Sequence, residues 1–461
     1  MKVSNTSFAV GASYRTVPVM SHPSQRRLSA RICRSPLACA LAAVTLSTLS
    51  APDMATAQVT AGRAQGASLT GPVGSPVRIL AQRGSDPAVV TDRFGTTTVV
   101  WATDSWPRGA IRAVRRTEGG RWSRPVTLGR GAEPLVDTDS RGAVTVVWQT
   151  NRNGHTSGVA ASRRPPRGPW GRAVRLSRDR AANYHPSPDQ DEGEFGAHRL
   201  DLDVSPNGAT LVVWQWGSYH RHRPTRIQSV SRPAGGHWGR VVGLTAPNWS
   251  SNPKVAVRRN DLAVVGYESP EDGRFVVRRR ASGGWGRETT VTARETNGHE
   301  VLMDPSGEVT AVFDRYDGVF AARRLASGEY GRPVELSSGT LGGAVVDRSG
   351  TVSVAAIRDS GRVQVIRRVA AWGAPKRVGN TGSDVIAVSV SSGRDLIVSW
   401  TSPRGRMTAR GREAGVGWTA GFRLSEVDDY YYPAAPSAFN GGGGVFVWQD
   451  HRERIKSRSF R

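Results

Sequence analysis

The sequence predicts an all-β chain, an eight-bladed β-propeller of four-stranded antiparallel blades whose ring is closed by a strand from the N-terminal side. Three observations predict it: a composition suited to short strands and tight turns, two motifs that recur in step along the chain, and one motif copy displaced from the C-terminus to the N-terminus.

Composition sets the class. The 461 residues include 53 Gly and 27 Pro, and only 22% are charged. The apolar residues, 38% of the chain, arrive in regular clusters, which excludes a disordered polymer.

The first motif is an apolar strand, a turn with Asp and Gly, and a second apolar strand ending in an aromatic. Asp92 leads to Trp101, Asp139 to Trp148, Ser205 to Trp214 and Asp304 to Phe313, each nine residues on. Weaker copies run from Arg258 to Tyr267, Asp347 to Ala356, Ser391 to Trp400 and Phe439 to Trp448, making eight. The second motif runs from an aromatic to an aliphatic six residues later: Trp122 to Leu128, Trp170 to Leu176, Trp238 to Leu244, Trp285 to Val291, Tyr330 to Leu336, Trp372 to Val378 and Trp418 to Leu424. Its eighth copy is missing at the C-terminus and stands instead at Gly74–Leu80, as expected if an N-terminal strand completes the last blade and removes a free edge. The recurrent aromatics are read as packing between blades. The Asp-x-x-Gly turn is read as turn chemistry, Asp bonding its own backbone and Gly accepting a positive φ. One carboxylate per turn is too few for calcium, and no cofactor or metal is expected.

Three regions follow: a signal peptide over 1–57, a flexible linker over 58–73, and the propeller over 74–461. Arg26, Arg27, Arg31 and Arg34 precede an apolar stretch from Pro36 to about Leu49, and Ala55-Thr56-Ala57 has the small-x-small pattern of a signal-peptidase site. Cleavage after about Ala57 would leave a secreted chain without a membrane span or a thiol, since Cys33 and Cys39 both lie in the targeting segment.

The formal charge is +25; without the six basic and one acidic residues of 1–57 the remainder carries +20, nearly all from arginine. Such a balance suits an acidic polysaccharide or cell-envelope polymer as partner. The arginines are scattered along the strands rather than gathered into one run, which argues against a nucleic-acid partner.

These repeats resemble those of secreted bacterial β-propellers in the broad sialidase-like, Asp-box group and of exported actinobacterial proteins, over about residues 75–461. The resemblance implies the fold. It carries no catalytic residue across: the aromatic follows Gly95 and Gly142 by six residues where the sialidase Asp-box has three, and the Phe-Arg-Ile-Pro signature is absent.

Strand order divides the connections between two faces. Turns joining strands one to two and three to four are monotonous and Gly-rich. Connections from strand two to three, and onward to the next blade, vary in length and hold the aromatics outside the repeat frame. The candidate ligand-binding residues there are Trp106, Tyr184, His185, Trp216, Tyr219, His220, His222, Trp249, His299, Tyr316, Tyr430 and Tyr431. The expected function is binding of a glycan or protein ligand through this variable face. The alternative is a carbohydrate-active enzyme, a polysaccharide lyase or glycoside hydrolase acting on an acidic polysaccharide, with Tyr219-His220 or Tyr184-His185 as acid and base. No nucleophile motif, phosphate loop or glycosidase carboxylate pair is legible.

Overall fold

The computed structural model describes residues 76–103, 109–152, 155–177, 195–218, 224–259, 262–269, 274–281, 284–382, 386–390, 395–415, 417–425, 435–438 and 444–460. The expected signal peptide and linker lie outside them. The described residues form a β-propeller of four-stranded antiparallel blades, with no helix among them.

Seven sheets are runs of consecutive strands, over 85–130, 132–175, 195–243, 251–295, 298–337, 340–380 and 386–423, numbered here first to seventh. The sequence led us to expect eight like units; seven are continuous, and the remaining sheet is composite. This closing sheet joins Ala435–Ala438, Gly444–Gln449 and Ile455–Phe460 to the N-terminal strand Arg78–Ala81, which pairs Arg78 with Ser457 and Ile79 with Lys456. The first strand of each sheet packs on the first strand of the next, from Ser85–Thr91 round to Ala435–Ala438 and back. The strands expected in the first unit near Ala88–Thr91, Thr97–Trp101, Ile111–Arg116 and Pro125–Leu128 are found at Ser85–Thr91, Thr97–Ala102, Ala110–Arg116 and Val126–Arg130.

The turn motif works as its residues suggest. Asp92 Oδ1 accepts from the backbone N–H of Phe94 and of Thr96, both at 2.9 Å, while Gly95 takes φ 73°. Asp139 does the same for Arg141 and Ala143, and Asp347 for Ser349 and Thr351. With the turn fixed, alternation buries the second strand on both faces: every residue of Thr97–Ala102 and of Val352–Ile357 is buried.

Glycines in fourth strands let neighbouring sheets close. A Cβ on Gly129 would lie 2.6 Å from Cζ2 of Trp148 in the following sheet, and one on Gly379 would strike Trp400 in the same way. Trp148 Nε1 also donates to the Arg130 carbonyl at 3.1 Å.

First strands are joined by carboxylates reaching across to the next sheet's backbone. Asp137 accepts from Val204 N–H at 2.7 Å, Asp201 from Val255 N–H at 2.8 Å, and Asp203 from Val257 N–H. Burial pushes Asp201 up to about 7, against the pull of the Lys254 ammonium. Burial also raises Asp203, to about 6, and Asp137, whose carboxyl meets that of Asp203.

Two outcomes are expected. Deleting 58–82 removes the outer strand of the closing sheet, exposes the edge at Ile455–Phe460, lowers Tm and promotes aggregation, whereas deleting 58–70 does neither; thermal melts and light scattering distinguish them. For Asp201, a folded pKa above the unfolded value of about 3.9 means a contribution to stability that is full below about pH 4 and lost as pH rises through about 7. Asp201→Asn, whose amide oxygen still accepts the Val255 N–H, should flatten the fall of Tm between about pH 4 and 7 in a pH series of melts.

Candidate functional site

Eight of the expected ligand residues, Trp106, Tyr184, His185, Tyr219, His220, His222, Tyr430 and Tyr431, lie outside the described residues. The other four separate into two buried and two presented to solvent.

Trp216 is a correction. It lies within the strand Thr210–Ser218, not on a loop, and is only 8% exposed, packed with Trp214, Val212, Leu176 and Ala197. The second strand of the third sheet runs on past the frame aromatic Trp214 to Ser218, paired with Phe195–Val204, so alternation carries 212, 214 and 216 onto one buried face.

His299 is corrected in the same sense. It sits in the first strand Gly298–Met303 of the fifth sheet, and its side chain is 1% exposed. Its ring lies 4.3 Å from that of Phe275, and Nδ1 is 3.7 Å from Glu268 Oε1. Glu268 Oε2 accepts from Ser251 Oγ at 2.9 Å and Asn252 Nδ2 at 2.6 Å. Burial pushes the Glu268 carboxyl up, but His299, Asn252 and Ser251 outweigh it and hold the group below its ordinary value. Asp314, on the strand beside His299, is pushed up by burial against the Leu341 N–H it accepts at 3.1 Å.

Trp249 and Tyr316 do face solvent. Trp249 is 41% exposed and held at φ 70°. Its N–H donates to the Thr225 carbonyl at 3.0 Å, which fixes an indole on the variable face. Tyr316 is fully exposed in the turn of the fifth sheet, next to Asp317, which pairs with Arg315 at 3.2 Å and Arg294 at 3.7 Å.

A formed cavity lies on the other face. Between the fourth and fifth sheets, at the turns joining their third and fourth strands, a groove of about 520 Å³ is lined by Trp285, Arg287 and Thr289 from one sheet and Arg324, Glu329 and Tyr330 from the next. Trp285 stands opposite Arg280 in the hairpin and packs on the cluster around Ala263, Val265 and Tyr267. Tyr330 is bridged to Arg324 and leans on the cluster around Phe313 and Phe320. The turn carrying Tyr330 relies on Gly328 at φ 99°, where a Cβ would lie 2.9 Å from Arg324 Nη2. Both aromatics are half-buried and both face the groove, so packing alone, the role expected of these frame positions, is an incomplete account.

No protein-family model matches this chain, and no curated protein matches it. Solved structures do. The BP39L lectin from Burkholderia pseudomallei aligns at TM-score 0.50 with 14% identity, covering 74% of this chain and 99% of that one. An ulvan lyase bound to a GlcA–sulfated rhamnose unit aligns at TM-score 0.46 with 12% identity, covering 82% and 94%, and a Hadza microbial sialidase at 0.40 with 12%, covering 77% and 73%. At such identities the likeness is one of fold.

Trp216→Ala should cost about 3–5 kcal/mol, as a core Trp truncation does. Tyr316→Ala should stay within about 0.5 kcal/mol. Chemical denaturation of the two variants measures the contrast, where two loop residues of one site would both stay near neutral.

Proposed function

We propose that this chain is an exported glycan-binding propeller, that its closing sheet acts as the eighth blade of the ring, and that its ligand is an acidic polysaccharide. The observation that carries the reading is the groove between the fourth and fifth sheets. Trp285 and Tyr330 offer flat faces to sugar rings, Arg287 and Arg324 offer donors to a carboxylate or sulfate, and Glu329 and Thr289 can bind hydroxyls. The +20 charge of the chain beyond residue 57 favours the same class of ligand at longer range. Solvent-facing Trp249 and Tyr316 stay candidate contacts for ligand on the variable face.

Binding is favoured over glycoside hydrolysis because Glu329 is the one carboxylate among the described residues lining the groove, where hydrolysis ordinarily needs two facing each other across the bond. Export rests on the cleavage pattern at Ala55–Ala57; no described helix is long and apolar enough to cross a membrane.

Calorimetry of the chain from Gln58 onward against chondroitin sulfate, polygalacturonate and neutral dextran, at two salt concentrations, tests the proposal. The anionic polymers should bind and weaken with salt. Trp285→Ala combined with Arg287→Ala should lose at least about tenfold in affinity, near 1.4 kcal/mol, with Tm held within a few degrees. Unchanged affinity in that double variant would show that the groove is not the site.

A further inference from the structure

We propose that this groove is one of five equivalent stations along one rim of the propeller, and that the ligand is a linear polyanionic glycan long enough to bridge several of them. The inference rests on the groove reading and extends it from one site to an array. Its starting point is a spacing: in five consecutive sheets the frame aromatic is followed two residues later by arginine, as Trp122 and Arg124, Trp170 and Arg172, Trp238 and Arg240, Trp285 and Arg287, and Tyr330 and Arg332. Were arginine scattered by composition, about one of the seven frames would carry it there.

The backbone holds these pairs in the same place on each sheet. The residue between aromatic and arginine donates its N–H to a third-strand carbonyl: Ser123 to Arg115 at 2.8 Å, Gly171 to Arg163 at 2.9 Å, Gly239 to Ser231 at 2.8 Å and Gly331 to Arg323 at 2.9 Å. In the fourth sheet the register pairs Trp285 with Arg280. Each of the five aromatics is half-buried, and each of the five arginines is exposed. None of these arginines forms an ion pair with a described carboxylate. The sixth sheet keeps the hydrogen bond, Gly373 to Arg367 at 2.9 Å, but has Ala374 in the arginine position, so the row stops there.

Cations also continue from one sheet to the next. Arg164 is held below its ordinary value by burial and then by Arg115 of the preceding sheet; Arg232 is held down by burial and then by Arg163. A bound polyanion relieves such crowding. Packed sheets stand roughly 10 Å apart, and wedge-shaped blades more at the rim, so a single sugar fills one station and only an oligomer reaches two. Each further station then binds intramolecularly, which raises affinity without any new kind of contact.

The test titrates the chain from Gln58 onward with size-fractionated chondroitin sulfate oligosaccharides, from the disaccharide upward, by calorimetry. Affinity should rise at least about tenfold once the oligosaccharide bridges stations, and the number bound per protein should fall. Arg172→Ala with Arg240→Ala, two exposed positions outside the groove lining, should lose at least about tenfold for the long oligosaccharides and lower the number of disaccharides bound per protein, the remaining stations keeping their affinity. Affinity independent of length, or a double variant that binds long chains like the parent, overturns the array. If Trp285→Ala still removes disaccharide binding in that case, the groove reading stands; if no length binds, both fail. Equal binding of neutral dextran overturns the polyanion.

Discussion

Burial of both faces of the second strand is the constraint from which the rest of the structure follows. A strand such as Thr97–Ala102 or Val352–Ile357 has no side that tolerates water, so a single four-stranded sheet of this sequence cannot stand alone. Each sheet needs a neighbour on both sides, and the row of neighbours ends only by returning on itself. The composite sheet meets that need, with Arg78–Ala81 covering the edge of Ile455–Phe460 and Ser437 Oγ meeting Thr91 Oγ1 at 2.9 Å. Glycines such as Gly129 and the buried carboxylates of first strands are secondary devices: the first lets sheets approach, and the second satisfies backbone N–H groups where they meet.

That constraint also separates what the ring requires from what it leaves free. Inner and middle strands are committed to packing. The turns between third and fourth strands carry an aromatic whose one side braces the sheet and whose other side is open, as at Trp285 and Tyr330. A propeller that repeats such a turn repeats its chemistry, and the proposed array takes each brace together with the arginine two residues on.

Much of the architecture was legible in the sequence because its signals are local and periodic. The nine-residue step from Asp to aromatic, the six-residue step from aromatic to aliphatic and the displaced copy at Gly74–Leu80 correspond to strand lengths and turns that side-chain alternation enforces. The site was less legible. Trp216 and His299 read as loop residues because strand bounds were inferred from the repeat, whereas the second strand of the third sheet runs on to Ser218 and the first strand of the fifth begins at Gly298. Glu268 and Asp314 gave no warning of their place beside His299, since the first reaches it from the preceding sheet by packing and the second from the neighbouring strand of the hairpin. The groove was missed for a different reason: an aromatic at a frame position looks like packing, and only its spacing to arginine, read across consecutive units, marks an open side.

The most direct measurement is arginine-selective modification with phenylglyoxal, read by mass spectrometry, of the chain from Gln58 onward with and without polymeric chondroitin sulfate. Arg124, Arg172, Arg240, Arg287 and Arg332 should be protected together by the polymer, while Arg294, exposed at the opposite ends of the strands, reacts as before. Protection of Arg294 with the five rim arginines still fully reactive would contradict the array and return the ligand to the variable face.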